Sequence, residues 1–166
     1  TLAQNLMRSV STPSVKTVKK IDAADIVSNV LEVYSEIIGE SNRTLIANIQ
    51  SVDVNIEGEK LKQLLIILLE NAVKYTRDGD RIKVSLKKAD NYCMLCVADT
   101  GIGIADGDEE KIFERFYRGK NAKNKQGTGL GLAIARTITE EVGGRIYANH
   151  NIPSGILITA VLPERR

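Results

Sequence analysis

The chain has 166 residues, 43% hydrophobic and 27% charged, the make-up of one ordinary globular domain with apolar mass enough for a substantial core. Its 23 Lys and Arg against 21 Asp and Glu leave a formal charge of +2, too little for a nucleic-acid surface, so no nucleic-acid partner is expected. Apolar runs such as Leu64 to Leu69 are far shorter than the roughly 20 residues that span a bilayer, and no basic–apolar–small leader opens the sequence, so a soluble chain is expected.

In chain order, Leu2, Leu6 and Val10 recur at helical spacing until Ser11-Thr12-Pro13-Ser14 breaks the pattern, which predicts the last turns of a helix followed by a linker. Asp22 or Asp25 is placed to cap a helix over Ala23 to Ile38, with Ile26, Val30, Val33 and Ile37 on one face and Gly39 at its end. Arg43 to Ile49 and Val52 to Ile56 alternate apolar and polar residues, predicting two short strands. Glu59 to Tyr75 is the next helix: Leu61, Leu64, Leu65, Leu68, Leu69 and Ala72 form a broad apolar face, with Asn71, Lys74 and Tyr75 at its edge near the C-terminal end.

Arg77-Asp78-Gly79-Asp80 is a turn into a hairpin of Arg81 to Lys88 and Asn91 to Asp99. Glu109 to Phe116 is expected as a short helix, Tyr117 to Gln126 as a cationic polar loop, and Leu130 to Val142 as a helix closing at Gly143-Gly144. Ile146 to Ala148 and Ile156 to Leu162 are the last strands. Strands that come in pairs, without strict alternation with helices, predict an α+β fold with a mixed sheet covered on one face by helices. Cys93 and Cys96 form a C-x-x-C, but lie in a strand where residues three apart face opposite sides, so they are expected as separate thiols. His150, the only histidine, falls at a strand edge and is expected to be solvated.

Three short segments carry the chemistry. Asp99 ends an apolar strand and runs into Thr100-Gly101-Ile102-Gly103; a carboxylate so placed needs a hydrogen-bond donor, and a purine amino group is one, with the glycines letting backbone approach a flat ring. Gly127-Thr128-Gly129-Leu130-Gly131 opens a helix whose free amides suit a phosphate. It follows a polar stretch and not a strand, which separates it from a dinucleotide fingerprint. Asn71 offers an amide oxygen to Mg²⁺, Lys74 a cation to phosphates and Tyr75 a face to a base. Arg115, Arg118, Lys120, Lys123 and Lys125 lie between the two glycine segments, where a phosphate-facing lid would sit.

The order Asn71-x-x-Lys74-Tyr75, Asp99-x-Gly101-x-Gly103, Phe113-x-x-Phe116 and Gly127-x-Gly129-x-Gly131 resembles the N, G1, F and G2 boxes of sensor histidine kinases, within the gyrase, Hsp90, histidine kinase and MutL ATPase superfamily. The resemblance covers about Ala23 to Pro163. It implies a two-layer α/β sandwich, its sheet mostly antiparallel, that holds ATP beneath a mobile lid. By the same resemblance Asn71 meets Mg²⁺, Lys74 and Lys120 the phosphates, Tyr75 the adenine, and Asp99 its amino group, with Ile102 and Ile104 in the same turn. Gly127, Thr128, Gly129, Leu130 and Gly131 would surround the phosphates, Phe113 and Phe116 anchor the lid, Arg118 approach the γ-phosphate, and Glu70 orient or deprotonate the acceptor.

The resemblance further implies a protein-histidine kinase whose acceptor His lies on a helical dimerisation domain, with residues 1–14 as the end of that domain and its linker and 15–166 as the catalytic unit. The parent is expected as a homodimer, a membrane-anchored bacterial sensor with this domain in the cytoplasm and a response regulator as partner; the fragment itself is expected to be monomeric. Two departures stand out. Many relatives carry a second Asn where this chain has Ile67, which removes a polar contact to the metal or phosphates. Hydrolytic branches place a Glu base there, and an Ile cannot activate water. A nucleotide-binding docking or sensing module without phosphotransfer, and a superfamily ATPase, are the alternative readings.

Overall fold

The computed structural model describes residues 22–118 and 129–165. Helix α1, Ala23–Glu40, starts at Asp22, whose Oδ1 accepts from the Ala24 amide at 2.9 Å; of the two candidate caps it is Asp22 that leaves an orphan amide satisfied. Strand β1 is Thr44–Ile49, helix α2 Gly58–Lys74, strands β2 and β3 Arg81–Ala89 and Tyr92–Asp99, helix α3 Gly131–Glu141, and strands β4 and β5 Arg145–His150 and Ile156–Pro163.

The five strands form one sheet in the order β1-β2-β3-β5-β4. Only β1 and β2 run parallel; the other pairings are antiparallel. In the β2–β3 hairpin Val84 stands opposite Val97 and Ile82 opposite Asp99. Alternation along β3 sends Cys93, Leu95, Val97 and Asp99 to the buried face and leaves Met94, Cys96 and Ala98 half-buried on the other. The thiols therefore diverge, and both are free. Cys96 lies beside the Thr159 hydroxyl at 3.7 Å, and burial pushes the Cys93 thiol up to about 12.

Helix α2 supplies the centre of the core. Leu61, Leu64, Leu65, Leu68, Leu69 and Ala72 are all buried, and full burial of a Leu side chain stabilises by roughly 1.5–3 kcal/mol relative to exposure. The α+β sandwich, with a mixed and mostly antiparallel sheet, is as expected from the pairing of strands along the chain.

Two elements differ from the sequence reading. Val52 and Val54 are buried as alternation required, yet residues 52–56 make only single bridges, Asp22 to Asp53 and Val54 to Glu164. A segment that touches two different chain sections at successive residues cannot build a ladder with either. The stretch expected as a helix from Glu109 to Phe116 contracts to one 3₁₀ turn, Lys111–Phe113, after which Glu114 is extended and Phe116 takes φ +62°. Phe113 and Phe116 therefore do not share a helical face: Phe113 is buried, with the Arg136 guanidinium 6.0 Å from its ring, whereas Phe116 is 72% exposed. Phe113 alone is packed as an anchor here.

Candidate nucleotide site

The cavity lies where α2 ends, β3 ends and α3 begins, and it has two compartments. One is lined by Tyr75, Gly103, Ile104, Ala105, Ile112, Arg118, Leu132 and Ile156. The other is lined by Ile67, Glu70, Lys74, Gly129 and Gly131. Asn71 and Tyr117 border both, as do Tyr75, Ile112 and Leu132. An apolar slot that opens into a cleft with a lysine, an amide and a helix N-terminus suits a molecule with a flat ring at one end and anionic groups at the other.

Asp99 ends β3 four residues before Gly103 of the apolar wall and is not itself among the residues that line the compartment. Its side chain is buried, Oδ1 accepts from the Gly101 amide at 2.9 Å, and the Ile156 amide also donates to the carboxylate. Burial pushes this carboxyl up to about 6, against the two amide bonds that lower it and with the Asp80 charge adding to the rise. The loop before β5 holds the outside of the turn: the Asn151 side-chain amide donates to the Asp99 carbonyl at 2.8 Å and the Ser154 hydroxyl to the Thr100 carbonyl at 2.9 Å.

The glycine at 101 has a nearer purpose than clearing room for a ring. A Cβ there would sit 2.0 Å from the Tyr75 carbonyl oxygen, which already accepts from the Ile102 amide at 3.1 Å. The absent side chain lets the turn after β3 pack onto the C-terminus of α2, which joins the Asp99 segment to the Asn71-Lys74-Tyr75 segment. Gly129 likewise answers first to protein. A Cβ would lie 2.9 Å from the Phe116 Cα, and the Phe116 amide donates to the Gly129 carbonyl at 3.0 Å. The two ends of the segment between them are thus fastened together. Gly131 begins α3 with only ordinary contact to Ile67, and Leu130 precedes it half-buried.

On α2, Asn71 and Tyr75 are one helical turn apart and face the cavity together. The Lys74 ammonium lies 5.2 Å from the Tyr75 ring centre. Glu70 is exposed on the rim and accepts from the Tyr34 hydroxyl of α1 at 3.2 Å; burial and this carboxylate push the Tyr34 hydroxyl up to about 12. Ile67 stands in the wall and offers no ligand atom from its side chain, and Asn71 is the side-chain amide in the lining whose oxygen could hold a hard cation. Mg²⁺ fits such a place, since it commonly keeps waters and phosphate oxygens and takes few protein ligands.

Arg118 borders the apolar compartment and Ile102 is 38% exposed on the turn. Lys120, Lys123, Lys125, Gly127 and Thr128 lie outside the described residues, as do residues 1–14. The sequence reading missed Ile112, Tyr117, Leu132 and Ile156, which are distant in sequence and have no motif of their own. His150 was expected to be solvated; it is half-exposed, its Nε2 3.1 Å from Asp106 Oδ1 and 3.0 Å from Glu109 Oε1, which ties the loop after Ile104 to the end of β4.

A helix-backed sheet with a slot of this shape defines a nucleotide-binding α/β sandwich. The profile of the family described as histidine kinase-, DNA gyrase B-, and HSP90-like ATPase matches residues 56–166, and the chain belongs to that family. Among curated proteins it is 36% identical to the sensor histidine kinase RppB of Synechocystis over 84% of this chain and 32% of that protein. It is 40% identical to the histidine-protein kinase BaeS of Escherichia coli over 70% of this chain and 25% of that protein. The chain thus spans a quarter to a third of the length of these relatives. Among solved structures, the mycobacterial sensor histidine kinase MprB superposes with a TM-score of 0.80 at 27% identity, covering 89% of this chain and 99% of that one. The catalytic domain of the histidine kinase ThkA does so with a TM-score of 0.76 at 26% identity, over 88% and 97% of the two chains.

Proposed function

We propose that this chain is the catalytic unit of a sensor histidine kinase, which binds Mg-ATP and presents the γ-phosphoryl group to a His on a helical dimerisation domain of the parent protein. The observation that carries the reading is the joining, through the contact at Gly101, of a buried Asp99 to the Asn71-Lys74-Tyr75 end of α2. One carboxylate for an exocyclic amine and one amide-plus-ammonium cluster are thereby held at a fixed separation.

In this reading the Asp99 carboxylate accepts from the adenine amino group and Tyr75 lies against the base. Lys74 and the first amides of α3 face the phosphates, and Asn71 holds magnesium. The bound metal neutralises charge on the phosphate oxygens. By the family resemblance Arg118 and Lys120 would serve the terminal phosphate, although Arg118 lines the base compartment here. Glu70 orients the acceptor imidazole and takes up its proton, with Tyr34 fixing the carboxylate. Because Ile67 cannot serve as a base, water is a poor acceptor and catalysis rests on positioning an imported imidazole in line with the γ-phosphorus. A response regulator would receive the phosphoryl group from that histidine, and the parent would be a membrane-anchored dimer with this domain in the cytoplasm. Among the described residues no helix is long and apolar enough to cross a membrane.

The test mixes the chain with a fragment carrying the acceptor helices and γ-labelled ATP. An acid-labile phosphoprotein is expected, and it is lost in Asn71→Asp. Release of phosphate at a high rate without acceptor would instead make this a superfamily ATPase. Tight ATP binding with no transfer would leave a docking or sensing module.

A further inference from the structure

His150, at the end of β4, meets two carboxylates carried on the loop after Ala105. Its Nε2 is 3.1 Å from Asp106 Oδ1 and 3.0 Å from Glu109 Oε1, and one ligand atom from each of the three side chains lies within 4.8 Å of the others. A single ring nitrogen carries at most one proton, so it cannot give a full hydrogen bond to both oxygens. Each carboxylate brings a negative charge, and a divalent cation among them would balance the pair. We propose that Asp106, Glu109 and His150 form a site for a divalent transition-metal ion, with zinc the best match to the donor set. The site is separate from the magnesium position at Asn71 and does not depend on the nucleotide reading.

Zinc takes imidazole nitrogen and carboxylate oxygen at about 2.1 Å, so two ligand atoms on a tetrahedral ion stand about 3.4 Å apart. The two contacts of His150 are already near that spacing. The widest gap has to close only from at most 4.8 Å to about 3.4 Å, and the fully exposed Asp106 side chain can rotate that far. The backbone sets the three residues in place without an ion. The Asp108 amide donates to the Ala105 carbonyl at 3.0 Å, which closes a turn centred on Asp106 and Gly107, and Gly107 takes the positive φ of +89° that glycine allows at the third position. His150 is held in the β4–β5 ladder opposite Ile156, and the next amide, that of Asn151, donates to the Gly155 carbonyl at 3.0 Å. Ligands fixed in this way spare the ion the cost of ordering them. The donor set also selects the metal: an imidazole suits zinc, whereas magnesium prefers oxygen ligands in near-ideal octahedral geometry. Three protein ligands leave a fourth position to water. Because the carboxylates follow directly on Ile104 and Ala105 of the apolar compartment, a bound ion would clip that wall to the end of β4.

The experiment titrates zinc chloride into the full chain, without an affinity tag and in a buffer that does not bind metal, and reads the heat. Saturation at one equivalent is expected, with binding at least roughly tenfold weaker in His150→Ala, Glu109→Gln and Asp106→Asn. Cys96→Ser should bind as the wild type does, which separates the site from zinc captured by the half-buried thiol. A large excess of Mg²⁺ should not displace the zinc. A second readout is thermal: zinc should raise the melting temperature of the wild type by mass action and leave that of His150→Ala where it was. Melting of the metal-free variants checks that these substitutions leave the fold intact. No saturable zinc binding by the wild type, wild-type affinity in His150→Ala, or loss of binding in Cys96→Ser alone would each overturn the inference. Nucleotide enters none of these measurements, so failure of the Mg-ATP reading and failure of the metal site are told apart.

Discussion

Asp99→Asn separates what this carboxylate does for a ligand from what it costs the fold. Burial raises its pKa from 3.8 to about 6, so the folded protein holds this proton more tightly than the unfolded chain. The stability the group contributes is complete below the unfolded value of 3.8 and is lost as pH rises through about 6. The whole shift corresponds to about 3 kcal/mol. Between about pH 5 and about pH 8 the wild type should lose about 1.4 kcal/mol through this group alone, because the unfolded carboxyl is already ionised there while the folded one is not. Asparagine has no proton to lose. Its amide keeps an acceptor for the Gly101 amide but brings a donor toward the Ile156 amide, and that penalty does not depend on pH. The stability difference between variant and wild type should therefore move in the variant's favour by about 1.4 kcal/mol from about pH 5 to about pH 8, read from urea unfolding at a series of pH values. Over the same series Mg-ATP affinity of the variant should be at least about tenfold weaker at neutral pH, through loss of a charged hydrogen bond to the base. Parallel stability curves for the two proteins would refute the argument that burial of Asp99 is only partly compensated in the free domain.

Gly101→Ala places a methyl group 2.0 Å from the Tyr75 carbonyl oxygen, and overpacking against backbone should cost about 2 to 3 kcal/mol; a melting temperature equal to wild type would show that the two segments do not meet as described. Cys93 is buried with its thiol pushed up to about 12, first by desolvation, so in the native protein iodoacetamide should label Cys96 well ahead of it, with the difference vanishing in urea; equal native rates would contradict the opposed faces of β3.

How much of this was legible in sequence follows from range. Asn71, Lys74 and Tyr75 share a helix end, and Asp99 to Gly103 and Gly129 to Gly131 are each continuous, so local spacing and the family resemblance singled them out as candidates. Tyr117, Leu132, Ile156 and Ile112 come to the cavity from separate elements and carry no local pattern. The strand expected at Val52 to Ile56 shows the converse. Its alternation recorded burial correctly, but a ladder needs a partner running alongside, and Asp53 and Val54 bridge to different parts of the chain.

The sequence by itself determined the leucine face of α2, the hairpin and the start of α1 at one of two aspartates, and it singled out the candidate residues for base, phosphate and metal, because each depends on periodicity or on neighbours within a few positions. Only the tertiary structure decided that Gly101 and Gly129 make room for protein backbone, that Phe113 is buried while Phe116 is not, and that His150 faces Asp106 and Glu109. These outcomes turn on which distant backbone passes within a few ångströms, and close approach between elements is set by packing of the whole sheet and its helices, not by local residue order.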